Sequence, residues 1–243
     1  MTVTEGQTSD EFWIFGYGSL IFKPPPHIDR QVPGYITGYV RRFWQVSFSR
    51  NSPPPDPGRV VTLIERSVWE KLGDHHDADE VVWGTAYRVE ASHVEEVKEY
   101  LDIREINGYS IHYVDVHHTN PNSPPIRSLV YIGTPENPQF VARERVPGET
   151  ELAEHIYKSV GPSGPNKDYL YQLHHALEDL CPDSKDNHIR SLFRKIAILE
   201  AEEKLMEIEE EDHEEHEEDK MEDIPFHEHP SGQEETEPNM TSS

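Results

Sequence analysis

The chain has 243 residues and a formal net charge of −25, and its acidic residues are concentrated at the C-terminal end. Residues 200–243 hold 19 of the 47 acidic residues and only two lysines, whereas the large apolar residues concentrate before residue 200. This distribution predicts one folded domain followed by an acidic tail. It argues against a nucleic-acid-binding protein, because such a protein needs a basic surface to neutralise phosphates.

Cysteine content and hydropathy suggest a cellular compartment. The chain has one cysteine, Cys181, so it can form no intramolecular disulfide, which is typical of a protein in a reducing compartment. The polar stretch from Met1 to Asp10 lacks the basic and apolar regions of a signal peptide. No apolar run approaches the roughly 18 residues that a membrane-spanning helix needs. We therefore expect a cytoplasmic protein, without excluding the nucleus.

Apolar and β-branched runs predict the strands of the folded region. The first strand, Phe12–Tyr17, runs into the turn Gly-Tyr-Gly-Ser. Residues 35–48 predict a strand pair or one long bent strand, with Gly38 as a possible bulge. A loop insertion is expected at residues 67–80. Further strands are predicted at residues 59–64, 81–89, 111–117 and 128–132.

Helices follow, most of them in the C-terminal half of the chain. Ser92 and Glu95 have the spacing of a capping box, and the helix that they begin is expected to end near Asn107-Gly108. Another helix is predicted at residues 149–160. Asn166 is expected to cap the next helix, and a final helix covers residues 186–205.

The order of these elements predicts an α+β domain, a small β-barrel flanked by helices. We expect residues 1–11 to be disordered and residues 12–205 to form the folded domain. Residues 206–243 read as an acidic low-complexity tail that is mostly disordered, since such dense like charge cannot bury enough apolar surface. The beginning of this tail is expected to extend the last helix.

Two stretches carry candidate chemistry. A strand that ends in Gly16-Tyr17-Gly18-Ser19 can aim successive backbone N–H groups at one anionic point, although the same pattern also suits an ordinary glycine turn. Glu105 is predicted at the end of a helix, just before a strand. A carboxylate there could serve as a general acid/base, or it could be a solvated surface group.

Six motifs then occur in one order between Trp13 and Arg194. They are Phe-Gly-Tyr-Gly-Ser-Leu-Ile, Arg-Arg-Phe-Trp-Gln, Pro-Gly-Arg-Val-Val-Thr-Leu, Tyr-Leu-Asp-Ile-Arg-Glu followed by Gly-Tyr, Tyr-Ile-Gly-Thr, and Gly-Pro-Ser-Gly with Tyr-Leu. In this order the motifs resemble the ChaC-like, glutathione-specific γ-glutamylcyclotransferase family. The glycine turn alone would be a weak signal, but the whole series is specific.

The resemblance implies a fold, a reaction and a site. The fold would be the γ-glutamylcyclotransferase type, a small mixed β-barrel with flanking helices. The reaction would convert glutathione to 5-oxoproline and cysteinylglycine without a metal or cofactor. Glu105 would be the catalytic acid/base. The substrate-binding loop would comprise Ile14, Phe15, Gly16, Tyr17, Gly18 and Ser19.

Four further residues are weaker candidates. Tyr109 and Tyr169 could donate hydroxyl hydrogen bonds into the site, or they could be core aromatics. Arg42 or Arg59 could pair with a substrate carboxylate, or form structural ion pairs. One departure from the family pattern stands out, because Ser49-Arg50-Asn51 occupies the place where the family usually has Asp-His-Arg. The sequence does not decide whether this change alters affinity or specificity.

Other functions remain open at this stage. The histidines around His75-His76-Asp77 and in the tail lack fixed ligand spacing, so we predict no metal site. The substrate could be another γ-glutamyl peptide or amine. A non-catalytic module on the same fold, with its acidic tail contacting a basic partner, would have no need of Glu105.

Overall fold

The computed structural model describes residues 11–47, 57–74, 76–104, 109–141, 148–161 and 164–222. Within these ranges, the side chains of residues 102–104 and 211–222 are not described. The chain divides into two compact units, Met1–Glu200 and Ala201–Ser243. The predicted domain boundary near residue 205 stays a prediction.

Five strands form a closed barrel. In order around the barrel they are β1 (Trp13–Gly16), β5 (Val81–Val89), β2 (Ile28–Thr37), β6 (Ser110–His118) and β7 (Ile126–Ile132). Most neighbours pair antiparallel, but β1 pairs parallel to β7 through Ile14 and Leu129, which closes the ring. The prediction of a small mixed barrel is therefore confirmed.

Two further strands, β3 (Tyr39–Ser47) and β4 (Gly58–Glu65), pair with each other outside the barrel. Gly38 separates β2 from β3 with a φ of +79°, a conformation that glycine adopts without strain. Of the two alternatives for residues 35–48, the strand pair is correct. Strand β2 begins seven residues before the predicted start, because pairing with β5 outweighs the weak strand propensity of its polar, Pro33-containing first half.

The helices come from several parts of the chain. They are α1 (Arg66–Trp69), α2 (Val94–Arg104), α3 (Glu149–Lys158), α4 (Asn166–Leu180) and α5 (Asn187–Glu222), and a short hairpin of β8 (Val160–Gly161) and β9 (Gly164–Pro165) precedes α4. Helix α1 corrects the prediction of a pure loop at residues 67–80. No helix in the described parts of the chain combines the length and hydropathy needed to span a membrane.

Two apolar clusters form the interior. The larger joins the barrel and the β3–β4 pair to helices α3, α4 and α5, for example through Phe43, Leu173 and Ile196. The smaller lies under α2, where Val97 and Leu101 contact Ile14 of β1. Strand β1 is therefore buried on both faces, in agreement with its uninterrupted apolar sequence.

The helix starts differ from the capping predictions. The Ser92 hydroxyl contacts Nδ1 of His93 at 3.0 Å inside a 3₁₀ turn, so it closes no capping box with Glu95. The Asn166 side chain does not cap α4 and binds strand β4 instead. Asp186 does act as a cap, since its Oδ1 accepts a hydrogen bond from the Ile189 amide at 3.0 Å.

Candidate active site

The end of β1 opens into a cavity of about 360 Å³, a size typical of small-molecule sites. Its walls come from the turn after β1, the β3–β4 pair, the start of β6, the β8–β9 hairpin and the first turns of α4. Of the predicted substrate loop, the residues that line the cavity are Phe15, Tyr17, Gly18 and Ser19. The Ile14 side chain is fully buried against α2, and Gly16 lies against Tyr87 and Leu20.

The glycines of this turn bring the backbone close to its neighbours. A Cβ added to Gly18 would lie 2.9 Å from Cγ2 of Val61 and 3.1 Å from the hydroxyl of Tyr169. A Cβ on Gly16 would lie 2.7 Å from Cβ of Leu20. A 3₁₀ turn at Ser19–Ile21 then directs the chain around the cavity. Main-chain atoms of the turn are therefore part of the cavity wall.

Tyrosines surround the same cavity. Tyr109 and Tyr169, both weaker candidates from the sequence, line it together with Tyr17 and Tyr131. The Tyr17 hydroxyl donates to the Tyr131 carbonyl at 2.9 Å, which holds β1 to β7 beside the site. The Tyr169 ring packs edge-on against Phe22 and Phe43. Tyr169 thus lines the cavity and packs against the core, and its role as a hydrogen-bond donor to substrate stays a prediction.

Polar side chains fix the far wall. Asn166 accepts a hydrogen bond from the Arg59 amide at 2.7 Å and donates to the Arg59 carbonyl at 2.8 Å, which joins α4 to β4. Gly58 leaves the space that Asn166 occupies, since a Cβ there would lie 2.9 Å from the Asn166 amide carbon. Gln45 donates to Gln139 at 3.2 Å and so positions a second amide on the wall. The sequence analysis missed these residues, because no local pattern marks an amide that bonds a distant strand.

Arg42 is absent from the residues that line the cavity, and of the two alternatives for it the geometry favours the structural ion pair. Its guanidinium contacts Oδ2 of Asp74 at 2.6 Å and also donates to the backbone carbonyls of Arg41, His76 and Asp77. Arg42 and Asp74 are 2% and 8% exposed, so the pair is structural and holds the segment after α1 against β3.

Arg59 is likewise absent from the cavity lining, although its neighbours Gly58 and Val60 are present. The cavity is instead bordered here by Gly58, Val60 and Val61. Burial lowers the pKa of the Arg59 guanidinium, and its Nε has no hydrogen-bond partner among the described residues. Nothing in this geometry favours Arg59 as a substrate ligand.

A buried cation lies behind the cavity wall. The guanidinium of Arg41 donates to the Trp83 carbonyl and lies 3.2 Å from Oδ2 of Asp186. Burial lowers the pKa of Arg41, while the nearby Asp186 carboxylate and the phenol groups of Tyr169 and Tyr17 counteract that shift. The sequence analysis did not single out this residue.

One histidine cluster has metal-ligand character and needs a separate test. His76 Nε2 and His188 Nδ1 lie 3.0 and 3.7 Å from Oε1 of Glu149. His188 Nε2 accepts a hydrogen bond from the Phe43 amide, so in the neutral ring the proton is on Nδ1. A protonated Nδ1 cannot bind a metal ion, and the cluster is therefore better suited to electrostatic contact between α3, α5 and the segment after α1.

The predicted catalytic residue, Glu105, lies outside the described residues. It follows Arg104, the last residue of α2, and precedes Tyr109, which lines the cavity. The Ser49-Arg50-Asn51 segment is also outside the described residues. The roles assigned to both from the sequence remain predictions.

A closed mixed barrel with a cavity at the glycine turn of its first strand places the protein in the γ-glutamylcyclotransferase fold class. A solved structure titled as a γ-glutamyl cyclotransferase specific to glutathione, from yeast, matches with a TM-score of 0.67 and 33% identity. The match covers 78% of this chain and 96% of the yeast chain. The predicted fold type is thus confirmed.

The family is shown by sequence as well. A family model described as "ChaC-like protein" matches residues 12–199, so the chain belongs to the ChaC-like family. A relative from Schizosaccharomyces pombe, named glutathione-specific gamma-glutamylcyclotransferase, is 44% identical over 74% of this chain and 89% of its own length. A Danio rerio relative, named glutathione-specific gamma-glutamylcyclotransferase 1, is 39% identical over 78% of this chain and 90% of its own length.

Proposed function

We propose that this chain is a glutathione-specific γ-glutamylcyclotransferase, which degrades glutathione to 5-oxoproline and cysteinylglycine. Relatives from several organisms carry that enzyme name at up to 44% identity. The observation that carries the proposal is the 360 Å³ cavity, which meets the main chain of the Gly-Tyr-Gly-Ser turn at the end of β1.

The substrate supplies its own nucleophile in this reaction. The α-amino nitrogen of the glutamyl group attacks the γ-carbonyl carbon, and the new C–N bond closes a five-membered lactam. The bond from that carbon to the cysteine nitrogen breaks, and the departing amine takes up the proton that the attacking amine loses. The enzyme has to hold the bent glutamyl chain, a task worth up to about 7–11 kcal/mol in well-oriented intramolecular reactions.

The turn after β1 is suited to holding that chain. Backbone N–H groups of residues 14–19 would bind the glutamyl moiety and stabilise the oxyanion that forms on the γ-carbonyl. Gly18 lines the cavity with main-chain atoms alone, which supports this role because substrate and main chain can approach closely there. Tyr109 and Tyr169, which also line the cavity, would donate hydroxyl hydrogen bonds to the substrate.

Glu105 would move both protons as a general acid/base. It is four residues from Tyr109 in the chain, which limits their Cα separation to at most about 14 Å. A carboxylate could first accept the ammonium proton and then return it to the leaving amine, contributing on the order of 10²–10⁴-fold in rate. This cycle needs no metal or cofactor.

The test is replacement of Glu105. We expect the parent protein to release 5-oxoproline and cysteinylglycine from reduced glutathione, and Glu105→Gln to lose at least about 100-fold in kcat. Glu99→Gln, on the exposed side of α2, is the matched control and should keep parental turnover. Circular dichroism establishes that both variants are folded. Parental turnover by Glu105→Gln would contradict the mechanism, and an inactive parent with a panel of γ-glutamyl peptides would contradict the function.

Two finer points belong to the same proposal. The protein would be located in the cytoplasm, and a nuclear location would fit equally well. Both agree with the single cysteine and with a substrate that is abundant in reducing compartments. The acidic C-terminal region would contact a basic partner, because Leu205, Met206 and Ile208 of α5 are exposed among glutamates. Apolar side chains that are surrounded by acidic residues are suited to binding a basic amphipathic segment of a partner.

A further inference from the structure

The cavity has a buried inner end and an exposed rim, and the rim carries its charges. Phe15 and Tyr17 are buried at the inner end. Lys23 and Asp168 are exposed, and among the described lining residues they are the members that carry formal charge. The rim therefore presents one cation and one anion to whatever part of a ligand extends outward.

Lys23 is hydrogen-bonded to the turn that would hold the glutamyl group. Its amide donates to the Ser19 carbonyl at 2.8 Å, so it is one turn of chain beyond the glycine loop. Its ammonium group lies 5.8 Å from the ring centre of Phe22, which in turn packs edge-on against Tyr169. These contacts place the base of the lysine side chain at the rim, beside the wall formed by α4.

Glutathione carries a carboxylate that this cation could bind. With the glutamyl group at the inner end, the cysteinylglycine part extends outward and ends in a carboxylate. That carboxylate is at most about 7 Å from the scissile amide, since two extended residues separate them. Residues 1–199 hold 28 acidic and 20 basic residues, a net charge of −8, so a cation at the rim favours that carboxylate locally against an acidic background.

We propose that Lys23 is a specificity-determining residue, whose ammonium group pairs with the glycine carboxylate of the substrate. Asp168, on the first turn of α4, opposes it by repelling the same carboxylate. The inference rests on the proposed function and extends it, because it predicts that the enzyme distinguishes substrates with a free C-terminal carboxylate from neutral γ-glutamyl amides. Lys23 takes no part in proton transfer, so its effect falls on KM.

The experiment compares glutathione with its glycyl ethyl ester, which lacks the C-terminal negative charge. For Lys23→Ala we expect KM for glutathione to rise about three- to tenfold, while kcat stays within about twofold of the parental value. This size is typical for the loss of a solvent-exposed charge pair. KM for the ester should remain at the parental value. Lys71→Ala, which removes an exposed lysine outside the cavity lining, is the matched control and should leave both substrates unaffected.

Two further variants make the result specific to charge. Lys23→Arg should keep most of the preference for the free acid, and Asp168→Asn should lower KM for glutathione but not for the ester. Higher salt should reduce the difference between the parent and Lys23→Ala, because it screens exposed charges. An unchanged ratio of KM values in Lys23→Ala would overturn the inference while the parent still degrades glutathione. A parent without activity on either substrate would instead overturn the proposed function.

Discussion

At the scale of residues, two neighbouring arginines of β3 have separate tasks. Arg41 extends toward Asp186 behind the cavity, and Arg42 extends toward Asp74 on the other side of the strand. Asp74 also accepts hydrogen bonds from the Trp69 indole at 2.8 Å and from the His76 amide at 3.1 Å. Its carboxylate is thus fully paired, and removing either member of the pair leaves a buried group without its partner.

We predict that Asp74→Asn lowers the free energy of unfolding by about 3 kcal/mol, because it leaves the Arg42 charge buried and uncompensated. The matched control is Asp115→Asn, which breaks an ion pair with Arg127 whose side chains are both 57% exposed. That variant should cost less than about 1 kcal/mol. Urea unfolding measures both, and equal losses would contradict the structural role of the buried pair.

The same pair makes stability depend on pH. Burial alone raises the pKa of Asp74, but the charge and hydrogen bonds of Arg42, with those of Trp69 and His76, hold that pKa below its usual value. Stability from this group is therefore complete above the unfolded pKa of about 3.9 and is lost as the pH falls through the folded pKa. In Asp74→Asn this part of the acid dependence should be absent.

At the scale of elements, the turn after β1 and the first turn of α4 form the cavity together. The turn approaches Val61 and Tyr169 so closely that no side chain fits at Gly18. Asn166 fixes α4 to β4 by two hydrogen bonds, so the Tyr169 wall cannot move away without breaking them. A substitution at Gly18 must therefore displace the turn or the side chains of Val61 and Tyr169 that line the cavity with it.

We predict that Gly18→Ala reduces kcat/KM for glutathione about ten- to a hundredfold, because a displacement near 1 Å misplaces the reacting groups. The matched control is Gly148→Ala, since a Cβ there meets nothing within 4 Å and the φ of −59° suits alanine. Steady-state kinetics with unfolding curves separates misplacement from loss of fold. Full activity in Gly18→Ala would show that the main chain of the turn does not contact substrate.

Local patterns in the sequence predicted most of the elements but few of the wall residues. The apolar run of β1 predicts a strand buried on both faces, and the alternation in β6 predicts a strand with one exposed face. Asn166 was misassigned as a cap, since capping is the usual local role of asparagine and its bonds to Arg59 join residues 107 positions apart. For Arg42 the sequence left a substrate contact and a structural ion pair both open, because Asp74 becomes its partner only when the chain folds.

At the scale of the whole molecule, the unit Met1–Glu200 contains both the barrel and the cavity. The first part of α5 belongs to this unit and buries Ile189, Leu192 and Ile196. Beyond it, the side chains of residues 201–210 are exposed. The packing of the folded unit thus depends on the start of α5 and not on its exposed continuation.

We predict that deleting residues 208–243 leaves glutathione turnover within about twofold of the parent, since the deleted side chains that the structure describes are exposed. Deleting residues 188–243 is the control, and it should abolish folding because it removes three buried apolar side chains, each worth about 2–5 kcal/mol. Activity assays and circular dichroism measure both deletions. Inactivity of the shorter deletion would assign the acidic region a role in catalysis.

The parallel seam between β1 and β7 has a consequence for how the protein matures. Four residues of β1 complete the ring, and the same four residues lead directly into the cavity. A chain in which β1 has not paired with β7 therefore lacks part of the cavity wall as well as the closed barrel. During refolding, we expect product formation from glutathione not to precede this strand pairing.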